Sequence, residues 1–144
     1  MTRKRGRSRE ARHVRIYHAM MRTDAWKHLD AVAIALYVLV SARYGGPGSN
    51  NGKIPYSVRE AAKALKVGRT TAAEAFELLQ ETGLLALETK GTFNRKVRHA
   101  SEWRLTEFQS DVTSDWATRD YLNWRPGKIQ NTGLQGGPGS IKYG

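Results

Sequence analysis

Residues 56–85 read YSVREAAKALKVGRTTAAEAFELLQETGLL, and the fold prediction rests mainly on them. Ser57 and Glu60 have the spacing of a capping box, in which the serine accepts a hydrogen bond from a first-turn amide and the glutamate reaches back to the cap. The residues that follow carry an apolar stripe at the i, i+3, i+4, i+7 spacing of a helix, formed by Val58, Ala61, Ala62 and Leu65. The pattern predicts a short helix that begins directly after Ser57.

A turn and a second helix are predicted next. Lys66-Val67-Gly68 should break the first helix, because glycine tolerates backbone dihedrals that other residues resist. The second helix should begin at about Arg69 with Gly68 as its cap, and Gly83 should end it. Its inner face is predicted to contain Ala72, Ala75, Phe76 and Leu79. Two helices joined by a tight turn predict a helix-turn-helix.

The flanking residues predict a buried helix and a small sheet. The run Asp30 to Tyr44 is apolar on nearly all sides, which is typical of a buried central helix, and Asp30 suits its N-cap. After the helix pair, residues 84–89 should form a strand with Leu85 and Leu87 facing inward. Residues 90–94 should form a turn, and residues 95–106 a return strand. We therefore expect an α+β fold, mainly helical, with a small β-hairpin as a wing.

The motif also carries a resemblance. The pattern S-x-R-E-x-A-x-x-L-x-V-x-R-x-T-x-x-x-A-x-x-x-L-x-x-x-G-L-L is similar to the winged helix-turn-helix of GntR-type regulators and to the N-terminal winged-helix domains of phage and plasmid replication proteins. The resemblance covers roughly residues 25 to 106 and implies binding to double-stranded DNA. Gly68 stands where those regulators usually carry a capping serine, and Ala73 where they often carry a second DNA-contacting arginine.

Composition favours a polyanionic partner. Lys and Arg number 24 against 13 acidic residues, a formal net charge of +11 with a pI near 10.3. Such an imbalance favours nucleic acid, although a basic chain can also be merely soluble. The chain has no cysteine, and its apolar runs are too short to cross a membrane. We expect a cytoplasmic, nucleoid-associated protein that does not bind membranes.

The chain divides into four predicted parts: a basic flexible arm at 1–15, the winged domain at 16–107, a C-terminal helical extension at 108–125 and a disordered tail at 126–144. The arm should follow phosphates or a minor groove, unless it is only a solvated tail. Its cations are Arg3, Lys4, Arg5, Arg7, Arg9 and Arg12. In the extension, Trp116, Tyr121 and Trp124 are predicted either to fold back on the domain or to form a homodimer surface.

Contacts with DNA are expected from the start of the second helix, from the cations of the first helix and its turn, and from the wing. The start of the second helix should face base edges, where arginine can read guanine and threonine methyls can contact thymine. Wing cations should contact phosphates, although charge on an edge strand can also serve only to prevent aggregation. The base-reading candidates are Arg69, Thr70, Thr71, Ala73 and Glu74, and the phosphate-binding candidates are Arg59, Lys63, Lys66, Lys90, Arg95, Lys96 and Arg98.

The sequence contains no motif that predicts catalysis. The four histidines lack metal-ligand spacing, and neither a nucleophile elbow nor a phosphate-binding glycine loop is present. We expect no enzyme activity, cofactor, metal or small-molecule effector. The functions that remain open are transcriptional control or control of a mobile element, replication initiation or excision, and a protein-interaction module. RNA binding is disfavoured because the chain lacks an aromatic stacking platform.

Overall fold

The protein has an α+β fold, and the computed structural model describes residues 10–93 and 98–127. In these residues the α-helices are α1 (His18–Met21), α2 (Asp24–His28), α3 (Ala31–Ala42), α4 (Val58–Leu65) and α5 (Arg69–Glu81). The strands are β1 (Ile54–Pro55), β2 (Leu85–Thr89), β3 (Thr92–Phe93), β4 (Arg98–His99) and β5 (Glu102–Leu105), and a 3-10 helix follows at Asp120–Asn123. Helices α1 and α2 were not predicted, since elements of four and five residues are too short to show a helical period.

Helix α3 lies at the centre of the core. Asp30 Oδ1 accepts a hydrogen bond from the Ala33 amide at 2.8 Å, which confirms the predicted N-cap. Leu36 and Val40 are fully buried. Burial raises the pKa of the Tyr37 hydroxyl, with a further contribution from the charge of Glu107. The helix ends at Ala42, two residues before the predicted end.

Helices α4 and α5 pack on α3 through the predicted faces. Ala61 and Ala62 of α4 are buried, and all four residues of the predicted inner face of α5 are buried. The Phe76 ring stacks on Trp103 of β5, with centroids 4.7 Å apart and planes 11° apart. This stack joins the helix pair to the sheet.

Three strands form an antiparallel sheet in the order β1-β5-β2. Leu85 pairs with Leu105 and Leu87 pairs with Trp103, but the register shifts between Leu87 and Thr89. Leu85 is buried as predicted, whereas Leu87 is 41% exposed, so its predicted inward position is wrong. The exposure begins where the register shifts, although Trp103, the cross-strand partner of Leu87, is buried.

Strands β3 and β4 form a second antiparallel pair between β2 and β5 in the chain. Thr92 and Phe93 therefore belong to a strand and not to the turn predicted for residues 90–94. The last residue of that turn, Asn94, and the first part of the predicted return strand, residues 95–97, lie outside the described residues. The rest of that strand is interrupted at residues 100–101, which separate β4 from β5.

The C-terminal extension differs from its prediction. The sequence predicted a helical extension over 108–125, but residues 111–119 are irregular and within this extension only Asp120–Asn123 form a helix, of the 3-10 type. Ser114 and Arg119 have positive φ angles of 63° and 43°, and the Ser110 hydroxyl accepts hydrogen bonds from the amides of Val112 and Thr113. Such local side-chain bonds compete with helical ones, so the expected helix does not form.

The extension folds back on its own domain. Tyr121 and Trp124 are 3% and 4% exposed, and the Trp124 ring packs against His28 of α2 at 4.7 Å. The Tyr121 hydroxyl donates a hydrogen bond to Glu107. Trp116 is 85% exposed. The two buried aromatic residues are therefore unavailable for the dimer surface suggested by the sequence.

Candidate nucleic-acid interface

The start of α4 is fixed by a set of polar contacts. The Ser57 hydroxyl accepts a hydrogen bond from the Glu60 amide at 3.0 Å, which confirms the serine half of the predicted capping box, and it donates to a Glu60 carboxylate oxygen at 3.3 Å. Arg43, at the end of α3, donates to a Glu60 carboxylate oxygen and to the Pro55 carbonyl, each at 2.7 Å, and its guanidinium lies 3.8 Å from the centre of the Tyr56 ring. These contacts hold the orientation of α4 relative to the central helix.

The charge of Glu60 is balanced by Arg43. Partial burial alone would raise the pKa of Glu60, but the hydrogen bond and positive charge of Arg43, together with hydrogen bonds from Ser57, lower it below the usual 4.5. Glu60 is the sole acidic residue between Tyr56 and Ala73. Because its partner comes from outside this segment, the segment's own cations have no acid to neutralise them.

The turn between α4 and α5 is made by Lys66. Its φ and ψ angles are 57° and 44°, the left-handed conformation, whereas Gly68 has an ordinary φ of −70°. The expectation that glycine would provide the unusual dihedral is therefore wrong. Gly68 is the N-cap residue of α5, as predicted, and it offers no side-chain cap. The left-handed conformation costs a non-glycine residue roughly 1–2 kcal/mol.

Replacing Lys66 by glycine should stabilise the fold. We expect Lys66→Gly to raise the free energy of unfolding by about 0.5–1 kcal/mol, because relief of the left-handed strain exceeds the added entropy of the unfolded chain. Denaturant unfolding measures the change, and Lys63→Gly, in the interior of α4, is the matched control that should lose about 1 kcal/mol. A loss of stability in Lys66→Gly would contradict this account of the turn.

The first turn of α5 is open to solvent. Arg69, Thr70 and Thr71 are exposed, and Ala73 is half-buried. The first amides of a helix have no intrahelical acceptor, and they form its positive end. This end of α5 therefore offers N–H donors together with the Arg69 guanidinium and two hydroxyl groups.

The remainder of the outer face of α5 is acidic. Glu74, Glu77 and Glu81 are exposed, and with Thr70 they follow the helical spacing i, i+4, i+7, i+11. Three carboxylates along one face repel a phosphate backbone. A polyanion can therefore approach α5 at its N-terminal end but not along its length.

Five of the candidate phosphate-binding and base-reading cations have side chains in the described part of the chain: Arg59, Lys63, Lys66, Arg69 and Lys90. All five are exposed, and none forms an ion pair or side-chain hydrogen bond with another described residue. The ion pairs found in the described residues use Arg15, Arg43, Arg104, Arg119 and Arg125.

The other predicted contacts are only partly placed. Arg98 lies in β4, but its side chain is outside the described part, as are Arg95 and Lys96 entirely. In the arm, Arg12 is exposed. Residues Arg3, Lys4, Arg5, Arg7 and Arg9 fall outside the described residues.

Of the 24 cations of the chain, 15 lie in the described residues together with all 13 acids. The excess positive charge therefore resides mainly in residues 1–9, 94–97 and 128–144.

The role of Arg43 was missed by sequence reasoning. Arg43 and Glu60 are 17 positions apart and lie on different elements, so no local pattern connects them. Residues 10–93 and 98–127 contain no group of three or more His, Asp or Glu side chains that could hold a metal ion. No helix in these residues is long and apolar enough to cross a membrane.

Comparison with known proteins gives no relative. No protein-family profile, curated protein or solved structure matches the chain. Any function must therefore be argued from the chain's own residues.

Proposed function

We propose that the protein binds double-stranded DNA in a sequence-specific manner through a winged helix-turn-helix. In this proposal α4 and α5 are the helix-turn-helix, and the strands from β2 to β5 are the wing. The observation that carries the proposal is the charge of residues 56–73. Four exposed cations lie there without an acidic partner among the described residues, because Arg43 already binds the segment's single acid.

The N-terminal end of α5 is the proposed reading element. Arg69 has the geometry to bind guanine through two hydrogen bonds, and the methyl groups of Thr70 and Thr71 can contact thymine. Glu74 can accept a hydrogen bond from a cytosine amino group. Glu77 and Glu81 lie further along the helix and oppose any docking that would place that part of α5 against phosphates.

The proposed phosphate contacts surround this reading element. Arg59 and Lys63 on α4, Lys66 in the turn and Lys90 after β2 would fix the register of the domain on the duplex. The backbone conformation of Lys66 is a second argument for the proposal. Strained backbone is often retained where a side chain is needed for function, and a cation here occupies a conformation that glycine would adopt without strain.

The biological role that fits best is a small transcriptional regulator or a control factor of a phage or plasmid. Replication initiation and excision use the same kind of DNA contact and are the alternatives. The DNA site itself distinguishes them: a site in the promoter of a gene favours regulation, whereas repeated sites at an origin or attachment site favour replication or excision.

The direct test is a binding titration with random duplex, the gene's own upstream DNA and single-stranded RNA, each over a salt series. We expect duplex to bind more tightly than RNA, with a steep loss of affinity as salt rises, since phosphate binding releases counterions. Absence of duplex binding at 50 mM salt would reject the proposal.

Single substitutions separate phosphate contact from base reading. Lys63→Ala should weaken binding to all duplexes alike and reduce the log–log salt slope by about 0.9, while Arg69→Ala should lose about 1–3 kcal/mol at the preferred site and little elsewhere. Lys27→Ala is the matched control, because Lys27 is an exposed cation on α2, outside the proposed interface. Equal effects of Lys27→Ala and Lys63→Ala would remove the basis for placing DNA on α4.

A second candidate function is binding to a protein partner through the C-terminal extension. Trp116 carries this candidate, since a tryptophan that is 85% exposed is an unusual feature of a free surface, and Leu122 in the same segment is 48% exposed. A homodimer is one such complex. Sedimentation of the full chain and of Trp116→Ser tests it: a dimer that dissociates on substitution supports the interface, and a monomer in both rejects self-association.

A further inference from the structure

A cavity lies between the N-terminal segment and the end of α3. Its walls are residues 10–15 and Tyr17, Ser41 and Tyr44, the loop 45–47, and Phe108 from the segment after β5. Its volume of about 520 Å³ falls in the range of pockets that bind small ligands. The cavity involves neither α4 nor α5, and Arg12 of the arm is the one predicted DNA contact among its described lining residues.

Two stacked aromatic rings form one wall. The Tyr44 and Phe108 rings have centroids 4.7 Å apart and planes 22° apart. Burial, and then the charge of Asp111, raise the pKa of the Tyr44 hydroxyl, so Tyr44 remains neutral at physiological pH and can donate a hydrogen bond. A flat ring placed against this pair would extend the stack. Stacking of a nucleic-acid base on an aromatic side chain contributes about 1–3 kcal/mol.

Two arginines, Arg12 and Arg15, also line the cavity. Arg15 donates to His13 at 2.8 Å and pairs with Glu10 at 3.7 Å, so its charge is partly used. Arg12 is exposed and forms no ion pair or side-chain hydrogen bond with a described residue. A guanidinium in this position suits a phosphate group, which it can bind through two hydrogen bonds.

The acidic side chains near the cavity are already bound. Asp111 accepts hydrogen bonds from the amides of Gly48 at 3.0 Å and Asn51 at 2.8 Å, and Glu10 pairs with Arg15. At the wall, the Ser41 hydroxyl is buried without a hydrogen bond of ordinary geometry among the described residues. It lies near the Tyr37 hydroxyl and lowers the pKa of that tyrosine, against the larger effect of burial, which raises it.

We propose that this cavity binds a nucleotide, with the base against the Tyr44–Phe108 pair and the phosphate on Arg12. A ligand with an aromatic ring but no phosphate would make no contact with the Arg12 guanidinium. A ligand with a phosphate but no base would leave the Tyr44–Phe108 pair uncovered. The same chemistry can come from a free mononucleotide or from an unpaired nucleotide at the end of a DNA strand. The proposal does not depend on duplex binding by α4 and α5.

Calorimetric titration of the full chain with four nucleoside monophosphates tests the proposal, with the corresponding nucleosides and ribose 5-phosphate as partial ligands. A second titration series compares a blunt duplex with the same duplex carrying one unpaired 3′ nucleotide. We expect at least one nucleoside monophosphate, or the duplex with the overhang, to bind at least tenfold more tightly than its partial ligand or blunt counterpart. Binding in the nucleotide series identifies a free nucleotide as the ligand, and binding in the duplex series alone identifies a DNA end. If neither series shows a preference for the complete ligand over its partial or blunt counterpart, the proposal is overturned.

Three substitutions tie the binding to the cavity. Tyr44→Leu and Arg12→Gln should each lower the affinity about tenfold, whereas Tyr44→Phe, which retains the ring, should stay within about threefold of the unmodified chain. Arg22→Gln is the control, because Arg22 is an exposed cation that does not line the cavity. If Arg12→Gln behaves like Arg22→Gln, the phosphate is not in the cavity and the proposal fails, even if Tyr44→Leu impairs folding. If duplex binding through α4 and α5 is absent but a nucleotide still binds, only the proposed DNA function is lost.

Discussion

Asn51→Ala should destabilise the fold by about 3–5 kcal/mol, the largest loss that we expect from a single polar substitution in this chain. The Asn51 side chain is fully buried, and the two N–H groups of its amide are shared among the carbonyls of Leu105, Phe108 and Gln109, at 2.9–3.1 Å from Nδ2. Its carbonyl accepts from the Leu105 amide at 2.7 Å. Alanine removes all four bonds, and water cannot readily replace them at a buried site. Thermal and denaturant unfolding measure the loss.

Asn50→Ala is the matched control for this prediction. Asn50 is the adjacent residue of the same type, and it also bonds backbone groups, donating to the Arg43 carbonyl and accepting from the Gly45 amide, each at 2.8 Å. These bonds are exposed, so water replaces them and the expected loss is at most about 1 kcal/mol. Asn51→Asp keeps the volume but places a carboxylate against three carbonyl oxygens, and it should be destabilised as strongly as Asn51→Ala. Equal losses in the two asparagine-to-alanine variants would contradict the network argument.

Gly83→Ala should cost about 2–4 kcal/mol, which is more than its backbone conformation alone explains. Gly83 ends α5 with a φ of 80°, as predicted from the sequence. A β-carbon at this position would lie 2.8 Å from backbone atoms of Asp120 and Tyr121, a distance at which the chain has to move. The C-terminal extension would therefore be pushed away from the domain. Denaturant unfolding measures the loss, and fluorescence reports exposure of Trp124.

Gly48→Ala separates the two causes. Gly48 has a nearly identical φ of 79°, but a β-carbon there would meet nothing within 4 Å. Its substitution should cost only the conformational strain, about 1 kcal/mol. If Gly83→Ala is no worse than Gly48→Ala, or if the emission of Trp124 does not change, the extension does not pack on the end of α5 as tightly as described.

The contrast between Gly83 and Gly48 shows which structural features can be predicted from neighbouring residues in the sequence. Gly83 was identified from its place after an apolar helical face, because the end of a helix is a local event that depends on dihedral angles. The contact with Asp120 and Tyr121 joins positions far apart in the chain, and no periodicity predicts it. The same distinction applies to Lys66, where the position of the turn was predicted correctly but the residue in the left-handed conformation was not.

In the candidate interface, too, features set by neighbouring residues could be predicted, and features set by distant contacts could not. The exposure of Arg69, Thr70 and Thr71 could be predicted, since it follows from the phase of the buried face of α5. The free charge of Arg59, Lys63 and Lys66 could not, because it depends on Arg43 having already bound Glu60 across 17 positions. The cavity between residues 10–17 and Phe108 was not predicted for the same reason, since its walls come from separate parts of the chain.

The α+β class, the helix pair with its caps and buried faces, the central helix α3 and the strands β2 and β5 could all be predicted from the sequence alone. These features depend on dihedral preferences and on burial at fixed periods, both of which act between near neighbours. Three outcomes depend on the tertiary structure: Asn51 joins the loop before β1 to the end of β5, Leu87 is exposed, and Tyr121 and Trp124 cover their own domain. Each of those outcomes depends on which surface from a distant part of the chain is available to pack or to accept a hydrogen bond. A short stretch of sequence does not contain that information.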